Sequence, residues 1–201
     1  MSHLEVETKF ELSETDFDAL KRLGHIASRA EQLNVYYDAA WKLADSSTTL
    51  RIRFKDGADP VLSLKIPVSH SGSRRVMQEI ELTLPKGCPA LLPSRHPMRI
   101  DVDRQLPDDF CEYLRQLGVK HLERVGWVRN TRYVLEIEDI GSIELDRLEL
   151  PDGSVVHEAE IESDNDWTHR SLADFVCQYA PQARPSAVSK FQRFRRAAVT
   201  A

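Results

Sequence analysis

The chain has 201 residues, 41% of them hydrophobic and 29% charged, with a formal net charge of -5. This length suits one domain, here taken as 1–201, and a net acidic surface argues against a nucleic-acid partner without excluding a local basic pocket. No apolar run nears the ~18 residues of a membrane helix, and charge arrives by Glu5, too early for a signal peptide, so a cytoplasmic protein with no membrane partner is expected. Cys88, Cys111 and Cys177 are odd in number and far apart, without zinc spacing, and read as reduced thiols.

Leu4 to Glu11 alternates in character and predicts a strand. Ser13 is a natural N-cap for a helix carrying Phe17, Leu20 and Leu23 on one face, and Gly24 is its expected stop. Strands are predicted at Gln32 to Asp38 and Thr48 to Phe54. Asp56-Gly57 turns the chain into a return strand, Val61 to Ile66. Ser69 to Arg75 reads as a flexible loop, in which Arg74 and Arg75 could close over an anion. Arg75 to Leu84 is a further strand, and the segment punctuated by Pro85, Pro89, Pro93 and Pro97 is left unassigned. Pro107 to Gly118 predicts a helix with Phe110, Leu114 and Leu117 on one face. Strands follow at Arg124 to Glu138, Ser142 to Leu150 and Val155 to Glu162, the last two joined at Pro151-Asp152-Gly153. Asp166 is expected to cap a helix through Tyr179, and the basic tail Ser189 to Arg196 reads as a solvated helix end.

The informative pattern is which face of each strand carries charge. Side chains at i and i+2 share a face, so Glu5, Glu7 and Lys9 point together. So do Arg51 and Arg53 around Ile52, Glu79 and Glu81 around Ile80, Glu144 and Asp146 around Leu145, and Glu158 and Glu160 around Ala159. Lys65 and Arg132 lie in similar strands. For one strand, exposure to water suffices as an explanation. Across many strands of both signs, the pattern matches a closed antiparallel sheet with a charged interior and an apolar exterior covered by helices. Such an interior suits a polyanion bound with divalent cations: arginine and lysine bind phosphate oxygens, and carboxylates bind magnesium or manganese.

Glu5-Val6-Glu7-Thr8-Lys9 resembles the ExExK motif of the CYTH superfamily, the triphosphate tunnel metalloenzymes. Tyr36-Tyr37-Asp38, Leu50-Arg51-Ile52-Arg53, Leu64-Lys65, Glu79-Ile80-Glu81, Arg132, Glu144-Leu145-Asp146, Glu158-Ala159-Glu160 and Ser189-Lys190-Phe191 resemble further family blocks, in family order. Leu64-Lys65-Ile66-Pro67 and Lys190-Phe191-Gln192-Arg193-Phe194 are most similar to the thiamine-triphosphatase-like branch. The resemblance implies an α+β fold, an eight-stranded antiparallel β-barrel with flanking helices. It implies that Lys9, Arg51, Arg53, Lys65, Arg132 and Lys190 hold a triphosphate, and that Glu5, Glu7, Asp146, Glu158 and Glu160 hold Mg2+ or Mn2+. Glu5, Glu7, Lys9 and Lys65 take the catalytic roles. Glu79, Glu81, Glu144 and Tyr36 are further candidates, Glu79 or Glu81 either as metal ligand or as partner to the basic residues.

Two positions depart from the family. Asn130 stands where a basic residue is frequent, so one phosphate contact is missing or supplied elsewhere. Thr49 stands where animal thiamine triphosphatases stack an aromatic residue on thiamine. Inorganic triphosphate is therefore favoured over thiamine triphosphate, with nucleoside triphosphates also open. A class IV-type adenylyl cyclase and a non-catalytic polyphosphate-binding module are the alternatives. The partner is a triphosphate-containing small molecule, and monomer or homodimer is left open.

Overall fold

The computed structural model describes residues 2–72, 74–84 and 98–200. The proline-punctuated segment, with Cys88, lies outside them. The elements run β1 (Ser2–Leu12), α1 (Glu14–Leu23), β2 (His25–Asp38), α2 (Lys42–Asp45), β3 (Thr49–Lys55), β4 (Val61–Ser71), β5 (Arg74–Thr83) and β6 (Arg99–Asp101). They continue α3 (Val102–Gln105), α4 (Asp108–Gln116), β7 (His121–Ile137), β8 (Gly141–Glu149), β9 (Val155–Glu162), α5 (Asp166–Tyr179), β10 (Arg184–Pro185) and α6 (Lys190–Thr200).

Eight strands close a ring in the order β1-β5-β4-β3-β2-β7-β8-β9, and β1 pairs with β9 to shut it. Every pairing is antiparallel, with β10 added beside β1 and β6 beside β7. The ring closes because alternation fixes register: slipping any strand by one residue would send its charges into the apolar exterior.

Two apolar layers cover the outside. Under α4, Phe110, Cys111 and Leu114 join Val35, Tyr37, Leu50, Ile52, Leu62 and Leu64 from β2, β3 and β4. Under α1 and α5, Phe17, Leu20, Leu172 and Val176 pack on Phe10, Leu135, Leu145 and Ala159. Burying each of these large side chains contributes about 1.5–3 kcal/mol. A third cluster lies on the lumen side: Phe191, Phe194 and Ala197 of α6 pack on Tyr36, Val128 and Leu148. The C-terminal helix therefore plugs one end of the ring.

Ser13 caps α1 as expected, its Oγ accepting from Asp16 N at 3.1 Å. Gly24 ends that helix differently: it is extended, at φ -100, and a Cβ there would meet Leu135 at 3.0 Å. It is required for close approach to β7, not for a left-handed cap. Gly57, Gly118 and Gly153 do have positive φ at their turns.

Three expectations are corrected. The cap of α5 is Asn165, whose Oδ1 accepts from Trp167 N and Thr168 N, and Asp166 is the first helical residue. Ser69–Ser71 and Arg74–Arg75 extend the β4–β5 hairpin instead of forming a flexible loop, because paired register continues to Ser71↔Arg74. The tail is not simply solvated: Arg193 reaches Glu158 at 2.6 Å and Glu11 at 2.7 Å. Among the described cysteines, Cys111 is buried and Cys177 exposed, and both are free. Among the described residues, no helix is long and apolar enough to cross a membrane.

Candidate active site

The ring turns its charged faces inward. One cavity within it is lined by Glu7, Lys9, Tyr36, Thr49, Arg51, Arg53, Lys65, Arg75, Met77, Arg132, Glu160, Glu162 and Lys190, with Ser189 and Phe191 of the plug. The cavity volume is about 50 Å³, enough for a few water molecules. All six predicted phosphate-holding residues line it.

These residues are paired among themselves. Lys65 reaches Glu5 at 2.5 Å and Glu79 at 3.4 Å. Lys9 reaches Glu160 at 2.7 Å. Lys190 bridges Asp146 at 2.9 Å, Glu158 at 3.4 Å and Glu160. Arg132 holds Asp146 through both Nε and Nη2, at 2.8 and 2.7 Å, and also touches Glu160 and Glu144. Burial by itself would lower the Lys9 and Lys190 ammonium pKa values. Glu160, Glu7 and Glu158 together outweigh it at Lys9, and Asp146, Glu160 and Glu158 at Lys190, so both stay above the ordinary range. Burial would likewise raise Glu160, but Lys190, Lys9 and Arg132 hold it well below the usual carboxylate range.

The predicted metal ligands separate into two groups. Glu5 and Glu7 converge with Glu162, and Glu160 converges with Glu144 and Glu162. Within each trio the ligating oxygens lie within 4.8 Å of one another. Asp146 and Glu158, also predicted as metal ligands, lie outside these trios and pair with cations: Asp146 with Arg132 and Lys190, Glu158 with Arg193, Lys190 and Lys9. Burial, with Asp146 and Glu160 nearby, pushes Glu144 up to about 7 against the pull of Arg132. Burial, then Glu144 and Glu5, push Glu162 up to about 9. Carboxyls crowded in this way raise one another's pKa, an excess of negative charge that a bound cation would relieve. Hard oxygen donors in this arrangement fit Mg2+ or Mn2+.

Arg51 marks the opposite deficit. It is buried at 7% exposure. Its Nε and Nη2 have no hydrogen-bond partner, and Glu79 stands off at 3.7 Å. Arg53 Nε and the Tyr36 hydroxyl are also buried without partners. Orphaned donors of this kind cost about 1–3 kcal/mol each unless a ligand accepts from them.

Glu79 accepts from Ser63 at 2.7 Å and neighbours Lys65 and Arg51, so it partners the basic residues and joins neither carboxylate trio. Glu81 lies opposite Ser63 in register, outside the cavity lining. Tyr36 borders the cavity while stacking on Phe191 and Phe194, with ring centroids 4.9 and 5.5 Å away. Thr49 lines the cavity, and Asn130 donates to Asp146 at 2.8 Å and Gln32 at 3.3 Å. Arg129 faces outward over Trp127, as its parity requires.

Two charged residues of the cavity lining lay outside the predicted set. Glu162 continues the Glu158, Glu160 alternation by one more step, a visible signal. Arg75 was read as the end of a loop that could close over an anion and as the first residue of a strand, and the alternation Arg75, Met77, Glu79 places it on the lumen face.

A closed antiparallel ring with cations and carboxylates interleaved inside it defines a charged-tunnel protein. Residues 3–195 match the CYTH domain, and the chain belongs to that family. No curated protein matches it. Among solved structures it is similar to HpAC1 from Hippeastrum, a candidate adenylyl cyclase described as having a dominant triphosphatase activity. That pair shares 24% identity at TM-score 0.74, covering 96% of this chain and 95% of the other. A candidate adenylate cyclase from Bacillus halodurans has 22% identity at TM-score 0.72, covering 96% and 98%. The PH1819 protein from Pyrococcus horikoshii has 19% identity at TM-score 0.61, also covering 96% and 98%. At these identities the likeness establishes the fold.

Proposed function

We propose that this chain is a divalent-metal-dependent triphosphatase acting on a small triphosphate, with inorganic triphosphate preferred. The observation that carries the reading is Arg51, buried in the lumen with two guanidinium nitrogens short of hydrogen-bond acceptors, beside two carboxylate trios whose oxygens lie within 4.8 Å of one another. A triphosphate with divalent metal would supply acceptors to the one and positive charge to the other. Arg51, Arg53, Lys9, Lys65, Lys190 and Arg132 hold phosphate oxygens, and arginine does so through its two-pronged donor geometry. Glu5, Glu7, Glu144, Glu160 and Glu162 hold the metal, with Asp146 and Glu158 keeping the cations in place. When bound, Mg2+ or Mn2+ supplies charge neutralisation at the phosphoryl oxygens and lowers the pKa of bound water. Catalysis by these residues is chiefly positioning and electrostatic stabilisation, as phosphoryl transfer requires. Thr49 in the cavity wall offers no ring for a thiazolium or a base to stack on, which favours inorganic triphosphate. The whole of residues 1–201 acts as one cytoplasmic CYTH domain.

The test is phosphate release from tripolyphosphate, thiamine triphosphate, ATP and GTP, with Mg2+ or Mn2+. Tripolyphosphate is expected to turn over fastest, and Arg51→Ala to lower kcat/KM by at least 100-fold while melting near the wild type. Cyclic AMP as the main product from ATP would overturn the assignment in favour of the cyclase reading. Binding without turnover would leave a polyphosphate-binding module.

A further inference from the structure

Arg75 lies on the lumen face of β5, directly opposite Glu7 in register, and is buried at 8% exposure. Its Nη1 stands 3.2 Å from Glu7 Oε1. Its Nη2 rests against the Met77 sulfur at 3.5 Å, a weak acceptor. It lines the same cavity as Arg51, Lys65 and Lys9. Glu7 in turn belongs to the trio with Glu5 and Glu162 that fits a cation.

Glu7 thus has two possible partners, and Arg75 has one charged partner that a cation would take. From this we infer that Arg75 is a further triphosphate-binding residue, restrained by Glu7 until a divalent cation occupies Glu7. The inference rests on the triphosphatase reading and deepens it.

The physical argument is one of charge. A cation held by Glu5, Glu7 and Glu162 neutralises the carboxylate that faces Arg75. A buried guanidinium whose counter-ion has been taken is strongly disfavoured. A phosphate oxygen in the cavity restores the pairing, with Nη2 turning from a thioether to a charged acceptor. Without the cation, the Glu7 carboxylate both occupies Arg75 and repels the anion. Metal and triphosphate therefore favour each other's binding, and the coupling is reciprocal. Asn130 cannot serve this role on the facing wall, since its amide is neutral and already donates to Asp146 and Gln32.

Isothermal titration of tripolyphosphate into the full chain tests this, once with EDTA and once with saturating Mn2+. Arg75→Gln is expected to weaken binding at least tenfold with Mn2+ and less than twofold with EDTA. Arg75→Lys should recover part of the loss. Glu7→Gln should tighten binding at least threefold in EDTA, because it frees Arg75, and adding Arg75→Gln should cancel that gain. Equal affinities for wild type and Arg75→Gln in Mn2+, at equal melting temperatures, would reduce Arg75 to a counter-ion and overturn the inference alone. If Arg75→Gln does not fold, Glu7→Gln and Arg75→Lys still decide: an unchanged affinity in both overturns it. A wild type that binds no tripolyphosphate with Mn2+ overturns the triphosphatase reading itself.

Discussion

Glu162 belongs to both carboxylate trios, and burial, with the charges of Glu144 and Glu5 beside it, pushes its pKa up to about 9 from 4.5. The native state therefore holds a proton there that the unfolded chain releases above pH 4.5. By linkage, stability falls as pH rises from about 4.5 to about 9 and levels off beyond. Glu162→Gln removes the repulsion, so the metal-free variant is expected to be more stable than wild type at pH 8 by about 1 kcal/mol, a value kept small because water at the rim screens the charge. With Mn2+ present the order should reverse, since the variant has lost a ligand oxygen. Denaturant melts at pH 5 and pH 8, with EDTA and with Mn2+, check both signs. A variant less stable than wild type in EDTA at pH 8 would mean that the carboxylate is already compensated. At this scale the sequence is most legible where alternation is long: Glu5, Glu7 and Lys9, or Glu158 and Glu160, announce their shared face directly. What it does not reveal is division of labour. Asp146 and Glu158 look like Glu160 in sequence, and only the structure brings Glu160 together with Glu144 and Glu162 while leaving the other two outside that trio.

The element that sets the depth of the lumen is α6. Its Phe194 ring lies against Gly126 of β7 so closely that an added Cβ would fall 2.5 Å from Cε2 and Cζ. Gly126 has φ +153 and sits at the register shift where Tyr36 and Tyr37 pass β7. Glycine meets both demands, the backbone angle and the close ring. Gly126→Ala should lift α6, withdraw Lys190 from Asp146 and Glu160, and cost about 2–3 kcal/mol. Melting temperature and tripolyphosphate affinity should fall together, whereas a variant that melts like wild type would show that α6 seats itself independently of β7. The helix was visible in sequence as a basic, Phe-containing tail, but its plugging role was not. Phe191 and Phe194 could have joined any apolar surface, and Tyr36 only becomes their partner where the β2–β7 register shifts at Gly126 of β7. Local signals fared better elsewhere. Ser13 marks the start of α1, and β9 begins and ends where its alternation does. The β4–β5 tip reads as a loop because Ser-His-Ser-Gly has turn composition, while cross-strand pairing carries β4 to Ser71 and starts β5 at Arg74.

For the whole molecule, the closed ring buries acids and bases that no local rule would place inside, and it does so because two apolar layers stabilise the exterior. The lumen is a network in which Lys9, Lys65, Arg132 and Lys190 are held by carboxylates and Arg51 is left short of acceptors. Buried pairs of this kind recover little net stability, since desolvation offsets their attraction. Ligands that supply the missing charges should therefore stabilise the fold as a whole, by RT ln(1 + [L]/Kd), or about 2.7 kcal/mol at a hundredfold excess over Kd. For a chain of this length about 1 kcal/mol corresponds to roughly 2–4 °C. Tripolyphosphate together with Mn2+ is thus expected to raise the melting temperature by about 5–10 °C. Each alone should give much less, because a lone anion meets the lumen carboxylates and a lone cation meets Lys65 and Arg75. The differential is read by thermal melts in four conditions: neither ligand, each singly, and both. Additive shifts would show that the charge networks respond separately. A joint shift well above the sum would show that the tunnel exchanges its internal pairs for metal and phosphate in one concerted step.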